Sequence, residues 1–94
     1  MTSEITDSFR QDYGRLSISI KAQVKRAYRI WLQNPQDPSL HFRKIHSQEP
    51  IWSVRVGLNY KVIGVIFDGE MLWYFVGIHA EYDKAIEELR SKRG

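Results

Sequence analysis

Residues 51–77 read IWSVRVGLNYKVIGVIFDGEMLWYFVG, and this run decides the fold. It is rich in Val, Ile, Trp, Tyr and Phe, residues that suit a pleated, half-buried surface. Two turn signals divide it into strands expected over 51–56, 59–67 and 70–76. Asp68-Gly69 tolerates the positive φ angles of a type I′ turn, whose twist matches flanking antiparallel strands. Gly57-Leu58 offers a second two-residue turn, with glycine at the first central position of type II′.

Two-residue turns at both places fix a register, because directly paired residues share a face. Phe67 then pairs with Glu70, Tyr60 with Gly77 and Arg55 with Tyr60. One face collects Trp52, Val54, Val56, Ile63, Val65, Phe67, Leu72, Tyr74 and Val76, and is expected to be the core. The other collects Ile51, Ser53, Arg55, Tyr60, Val62, Gly64, Ile66, Met71, Trp73, Phe75 and Gly77, with His79 continuing its parity. Arg55, Tyr60 and His79 are thus expected to meet at one end of the second face. Met71, Trp73 and Phe75 form an apolar patch on it, either a partner surface or a floor covered by a C-terminal helix. A three-residue connection after Val56 would instead turn Lys61 onto the Arg55 face.

Upstream of the sheet the period changes. Ile5, Phe9, Tyr13 and Leu16 recur at helical spacing, and Ser17 or Ser19 suits the N-cap of a second helix. In that helix Ile20, Val24, Ala27, Tyr28 and Trp31 share one face, and Lys21, Lys25, Arg26 and Arg29 the other. It ends at Asn34-Pro35, because a residue before proline is driven out of the α region. Residues 40–45 suit a further strand, broken at Glu49-Pro50, and residues 81–92 a last helix with Ile86 and Leu89 inward. The expected fold is therefore α+β: an N-terminal helical hairpin on a four-stranded antiparallel meander, with a C-terminal helix. Residues 1–94 fit a single domain.

Composition narrows the function classes. The chain has no cysteine, which removes disulfide frameworks and thiolate chemistry. No run approaches the roughly 20 apolar residues of a membrane span, and MTSEITDSFR lacks the apolar core of a secretory signal. The expected location is the cytoplasm, away from membranes. The net charge is +3, and residues 39–66 alone carry four Lys/Arg against one acid, with His41 and His46 beside them. A basic centre next to an acidic C-terminal third suits a polyanion, although Lys and Arg also guard strand edges.

No metal-ligand spacing, nucleophile elbow or phosphate loop is present, and no metal or small-molecule cofactor is expected. The set Arg55, Lys61, His79, Tyr60 and Tyr82 lies near strand ends, with Arg43 and Lys44 on the first strand. Such a set suits a phosphodiester. Arginine offers planar paired donors to phosphate, histidine or tyrosine exchanges a proton, and aromatic rings stack splayed bases. RNA brings its own nucleophile, the 2′-hydroxyl. Equally, His79 suits a capping role and Arg55 an ion pair.

Asn34-Pro35, the run Pro38-Ser39-Leu40-His41-Phe42-Arg43-Lys44, then Trp52-Ser53-Val54-Arg55-Val56-Gly57, Tyr60-Lys61 and Trp73 through Asp83 together resemble the RelE/ParE toxin superfamily of type II toxin–antitoxin systems. The resemblance spans roughly residues 5–90. It implies a helical hairpin on an antiparallel sheet, often preceded by a short strand, here around Glu4-Ile5-Thr6. It also implies a cognate antitoxin as partner, for which Met71, Trp73 and Phe75 are the expected contacts. The RelE branch cleaves mRNA on the ribosome, whereas the ParE branch poisons DNA gyrase without cutting. A third possibility is a non-toxic relative that binds only an antitoxin. By resemblance to the ribonuclease branch, Arg55, Lys61, His79 and Tyr82 are the catalytic set; Arg43, Lys44 and Tyr60 are expected to hold nucleic acid by their charge and stacking. Two departures stand out: Ile51 and Ser53 replace paired strand lysines, and Tyr82 comes earlier than the branch's C-terminal tyrosine.

Overall fold

The computed structural model describes residues 2–93. Strand β1 (Thr2–Ile5) leads into helices α1 (Asp7–Gly14) and α2 (Ile18–Gln33). A 3-10 turn (Pro38–Leu40) precedes strands β2 (Arg43–His46), β3 (Glu49–Val56), β4 (Tyr60–Phe67) and β5 (Glu70–Ile78), and helix α3 (His79–Arg93) follows. The expected α+β class holds, but the sheet has five strands in the order β1-β5-β4-β3-β2, and β1 runs parallel to β5. The four-stranded, all-antiparallel expectation is corrected on both counts. Ile5, read as the first position of a helical stripe, belongs to β1. A four-residue strand held by long-range pairing has almost no periodic signal of its own.

Local chemistry explains where the helices start. Thr6 caps α1: its Oγ1 accepts from the Phe9 amide at 3.2 Å and reaches the Trp73 carbonyl at 2.9 Å, so one side chain ties β1, α1 and β5 together. Ser17 caps α2 as expected, accepting from the Ile20 amide at 3.2 Å. Asp37 caps the 3-10 turn, and its carboxyl is held below the ordinary range by the Ser39 hydroxyl and amide.

Two register features decide which side chains are buried. Asp68 and Gly69 both take positive φ, 53° and 75°, and Phe67 faces Glu70, as a two-residue I′ hairpin requires. The β3–β4 connection, however, has three residues: Val56 pairs with Tyr60 and Arg55 with Lys61. That extra residue moves all of β4, and the start of β5, to the opposite face from the one expected. A bulge at Tyr74 then reverses the slip, since Gly64 faces Trp73 while Ile63 faces Phe75.

The hairpin side of the sheet consequently buries Val54, Val56, Val62, Met71, Trp73 and Val76 against Phe9, Val24 and Trp31. The α3 side buries Ile51, Ile63 and Val65 against Tyr82, with Phe75, Ile86 and Leu89 packed around them. Ile63 and Val65, expected under the hairpin, therefore lie under α3. An Arg90–Glu49 ion pair at 3.0 Å fastens α3 to the start of β3. Pro50 does not break β3, because its pairing to β4 begins only at Ile51.

Trp73 also explains a glycine. A Cβ on Gly64 would stand 2.6 Å from Met71 Sδ and 2.7 Å from Trp73 Cε3. Gly64→Ala is expected to cost about 1–3 kcal/mol by overpacking. Urea unfolding measures this, and an unchanged midpoint would show that the indole and thioether swing clear without loss.

Candidate functional site

The three-residue turn that inverts β4 also assembles a cluster of cations. Arg55 and Lys61 are direct partners across β3 and β4, so their side chains leave the same face. Arg43 pairs with Ser53, two residues along β3, and shares that face. Strand β5 runs into α3 without a linker, which puts His79 at the first helical position beside the strand end. From the other side, His41 terminates the 3-10 turn with φ 46°. These residues line one open cleft of about 520 Å³, together with Asn59, Tyr60 and Ser53. Among the described residues, no carboxylate lines its wall.

Contacts within the cleft are few and directional. Arg55 Nε donates to the Gly57 carbonyl at 2.9 Å, which steadies the β3–β4 turn, and Nη1 stands 3.4 Å from His41 Nε2. Lys61 Nζ lies 4.5 Å above the centre of the Tyr82 ring, a cation–π contact that aims the ammonium into the cleft. The His79 ring stacks on the same tyrosine at 5.9 Å and 17°. On its outer side His79 Nε2 is 3.9 Å from Asp83 Oδ2. Among the described residues no three His, Cys, Asp or Glu side chains come together as a metal site.

The structure brings Arg55, Lys61, His79 and Arg43 to the cleft. Tyr60 borders it but does not share the Arg55 face as expected: the three-residue turn pairs it with Val56, and it packs against the hairpin-side core. Tyr82 is only 6% exposed and does not line the cleft: it belongs to the α3-side core and contacts Lys61 and His79 from there. Lys44 points away: it pairs with Trp52 on the opposite parity, and its Nζ donates to the Ser47 carbonyl at 3.3 Å. Met71 and Trp73, expected as an exposed contact surface, are 0% and 4% exposed and belong to the core under the hairpin. Phe75 is half-buried in the α3 cluster on the other side of the sheet, so the three residues do not form one patch. The physical reason is the pair of register slips: Met71 and Trp73 lie between them and change face, whereas Phe75 lies beyond the Tyr74 bulge and keeps its own.

Sequence reasoning missed His41. The signal was there in the pairing of β2 with β3: once Arg43 faces Ser53, the residue two before Arg43 comes alongside Arg55.

No protein-family model matches this chain, and no curated protein sequence matches it. Solved structures do. YafQ from Escherichia coli superposes with a TM-score of 0.70 at 14% identity, covering 85% of this chain and 94% of that one. The toxin–antitoxin complex RelB-RelE from Methanococcus jannaschii gives 0.68 at 18% identity, over 85% and 95%. The complex RelBE2 from Mycobacterium tuberculosis gives 0.63 at 21% identity, over 83% and 96%. At these identities the likeness establishes the fold, which is that of RelE-type toxins.

Proposed function

We propose that this chain, with its RelE-type fold, is the toxin of a type II toxin–antitoxin pair. We further propose that it arrests translation by cutting mRNA on the ribosome, with the cleft between the 3-10 turn, β3, β4 and the start of α3 as its site. The observation that supports this most directly is a cleft lined by Arg43, Arg55, Lys61, His41 and His79 with no carboxylate among its described lining residues. A phosphodiester is the substrate class such a surface accommodates, because every ionisable group there either donates to phosphate or exchanges a proton.

The roles follow from chemistry. Arg55 presents planar paired donors to the scissile phosphate, and Lys61 adds charge that grows in value as the phosphorane forms. Arg43 and Tyr60 hold the flanking strand. Tyr82 supports Lys61 and His79 from below, as its burial fits a structural role better than a proton-transfer one. On this reading the ribosome holds the mRNA strand in register over the open cleft. Three of the solved structures with this fold are described as toxin–antitoxin complexes, which supports a cognate antitoxin as partner.

Mapping cellular mRNA 5′ ends within minutes of induction tests the reading, comparing wild type with Arg55→Ala/His79→Ala. New codon-phased ends in wild type alone are expected. Growth arrest without new ends would move the function to a binding-only toxin with a protein target such as DNA gyrase. The exposed Lys25, Arg26 and Arg29 face of α2 would then be the first surface to alter.

A further inference from the structure

We propose that Leu58 and Asn59, at the tip of the β3–β4 turn, form a nucleobase subsite beside the cation cluster. Leu58 covers one face of the base joined to the bound phosphate, and the Asn59 amide bonds its edge. The inference rests on the ribonuclease reading above and deepens it, by separating the residues that read the strand from those that hold its phosphate.

The subsite follows from where the turn lies and how it is held. Leu58 is 85% exposed, and with Asn59 it lines the same cleft as Arg43, Arg55 and Lys61. A single exposed leucine is ordinary on a protein surface, but this one stands on a turn fixed from two sides. Within the hairpin, Arg55 Nε donates to the Gly57 carbonyl at 2.9 Å. From α2, Gln23 reaches over Gly57 so closely that a Cβ there would stand 2.5 Å from its Oε1. Gly57 itself takes φ 62°, a backbone conformation that other residues rarely adopt. The arginine that binds phosphate therefore also anchors the turn carrying Leu58 and Asn59, and a phosphate on Arg55 has its base within reach of that turn. Side chains held on a fixed turn lose little freedom when a ligand arrives.

The chemistry of a nucleotide matches this division. Its phosphate is anionic, whereas its base has apolar faces and polar edges. The cleft sets Arg43, Arg55 and Lys61 against the first, and an aliphatic side chain with a neighbouring amide against the second. An asparagine amide carries both donors and an acceptor, so it tells bases apart by the order of such groups along their edges. Leucine has no polar group with which to read an edge, and every base offers it a face. An apolar protein contact is the rival occupant of an exposed leucine; the surrounding cations and the adjacent amide favour the nucleotide.

The test is single-turnover cleavage on purified ribosomes, with the full chain, of defined mRNAs that differ only at the nucleotides flanking the wild-type cut. Leu58→Ala is expected to slow cleavage of every mRNA by about tenfold at subsaturating protein, the cost of losing an aliphatic contact. Leu58→Met should restore most of that rate. Asn59→Ala is expected to shrink the rate differences among bases by about 3–10-fold, the range for one hydrogen bond. Both residues are exposed at a turn, so thermal melts of the variants should match wild type. A merely structural turn would move rates and melting together and leave the preference among bases unchanged, and that result overturns the subsite. Wild-type rates and preferences in both Leu58→Ala and Asn59→Ala also overturn it, and leave the ribonuclease reading standing. Loss of antitoxin capture by Leu58→Ala, with cleavage intact, would assign the leucine to a protein partner instead. A wild type that cleaves nothing on ribosomes overturns the subsite and the ribonuclease reading together.

Discussion

Trimming Trp73 to alanine is expected to remove about 3–5 kcal/mol of folding stability, the range for deleting a large aromatic ring from a core. A domain of this size has about 5–15 kcal/mol to lose, so the variant should melt roughly ten degrees or more below wild type. The ring is 4% exposed and meets Trp31 edge to face at 5.0 Å and 79°. It also lies across Gly64, so its removal opens a cavity that no neighbouring Cβ can fill. Its own backbone carbonyl accepts from the Thr6 amide at 3.1 Å, which couples β5 to the start of α1. Trp73→Phe should cost far less than alanine, because the indole Nε1–H is buried without a partner and its loss removes an unsatisfied donor. Urea unfolding of the two variants beside Phe75→Ala, a half-buried site on the other face, provides the comparison. A Trp73→Ala protein as stable as wild type, defective only in binding another protein, would place this indole on a surface after all.

That contrast shows which parts of the molecule are legible in the sequence. Asp68-Gly69 is decisive because a type I′ turn is a local event, and both residues take the positive φ angles it requires. Ser17 is legible for the same reason, as a cap three residues before the amide it serves. The alternation of Trp52, Val54 and Val56 survives because β3 contains no irregularity in its pairing with β4.

What fails is register, and it fails twice within one hairpin pair. A turn of three residues rather than two after Val56 inverts β4, and the Tyr74 bulge restores the parity of Phe75, Val76 and Gly77. Met71 and Trp73 lie between the two slips and so exchange faces, whereas Arg55 and Gly77 lie outside them and keep theirs. With a side-chain period of two, each single-residue error moves a whole segment from core to surface. Nothing in the composition of 57–59 or 73–75 signals either event, since both are settled by what the strands pack against. The cleft is legible in part on the same logic. Arg55 and His79 sit at strand ends outside the inverted segment, Lys61 arrives only through the three-residue turn, and His41 needs the β2–β3 pairing.

Arg55→Lys should then lower ribosome-dependent cleavage by about 10²–10³-fold, the cost of losing one preorganised donor to developing negative charge, although the net charge of the cleft is unchanged. Arginine here serves two partners at once: Nε holds the Gly57 carbonyl at 2.9 Å while Nη1 remains for His41 and, with substrate bound, for phosphate. A lysine ammonium is a single point of donation on a flexible stem and cannot span a turn carbonyl and a phosphate together. Stability should change little, because the side chain is only half-buried and its turn is also fixed by Gly57 at φ 62°. Lys61→Arg provides the converse: the Lys61 ammonium rests over the Tyr82 ring rather than on a fixed acceptor, and a guanidinium stacks there as well, so that variant should keep most of its activity. The pair is read as single-turnover rates on ribosomes beside thermal melts. Equal tolerance at both positions would mean that the cleft attracts RNA by charge alone, and the paired-donor geometry of Arg55 would have no part in the chemistry. Loss at Arg55 alone would place the scissile phosphate between the β3–β4 turn and His41.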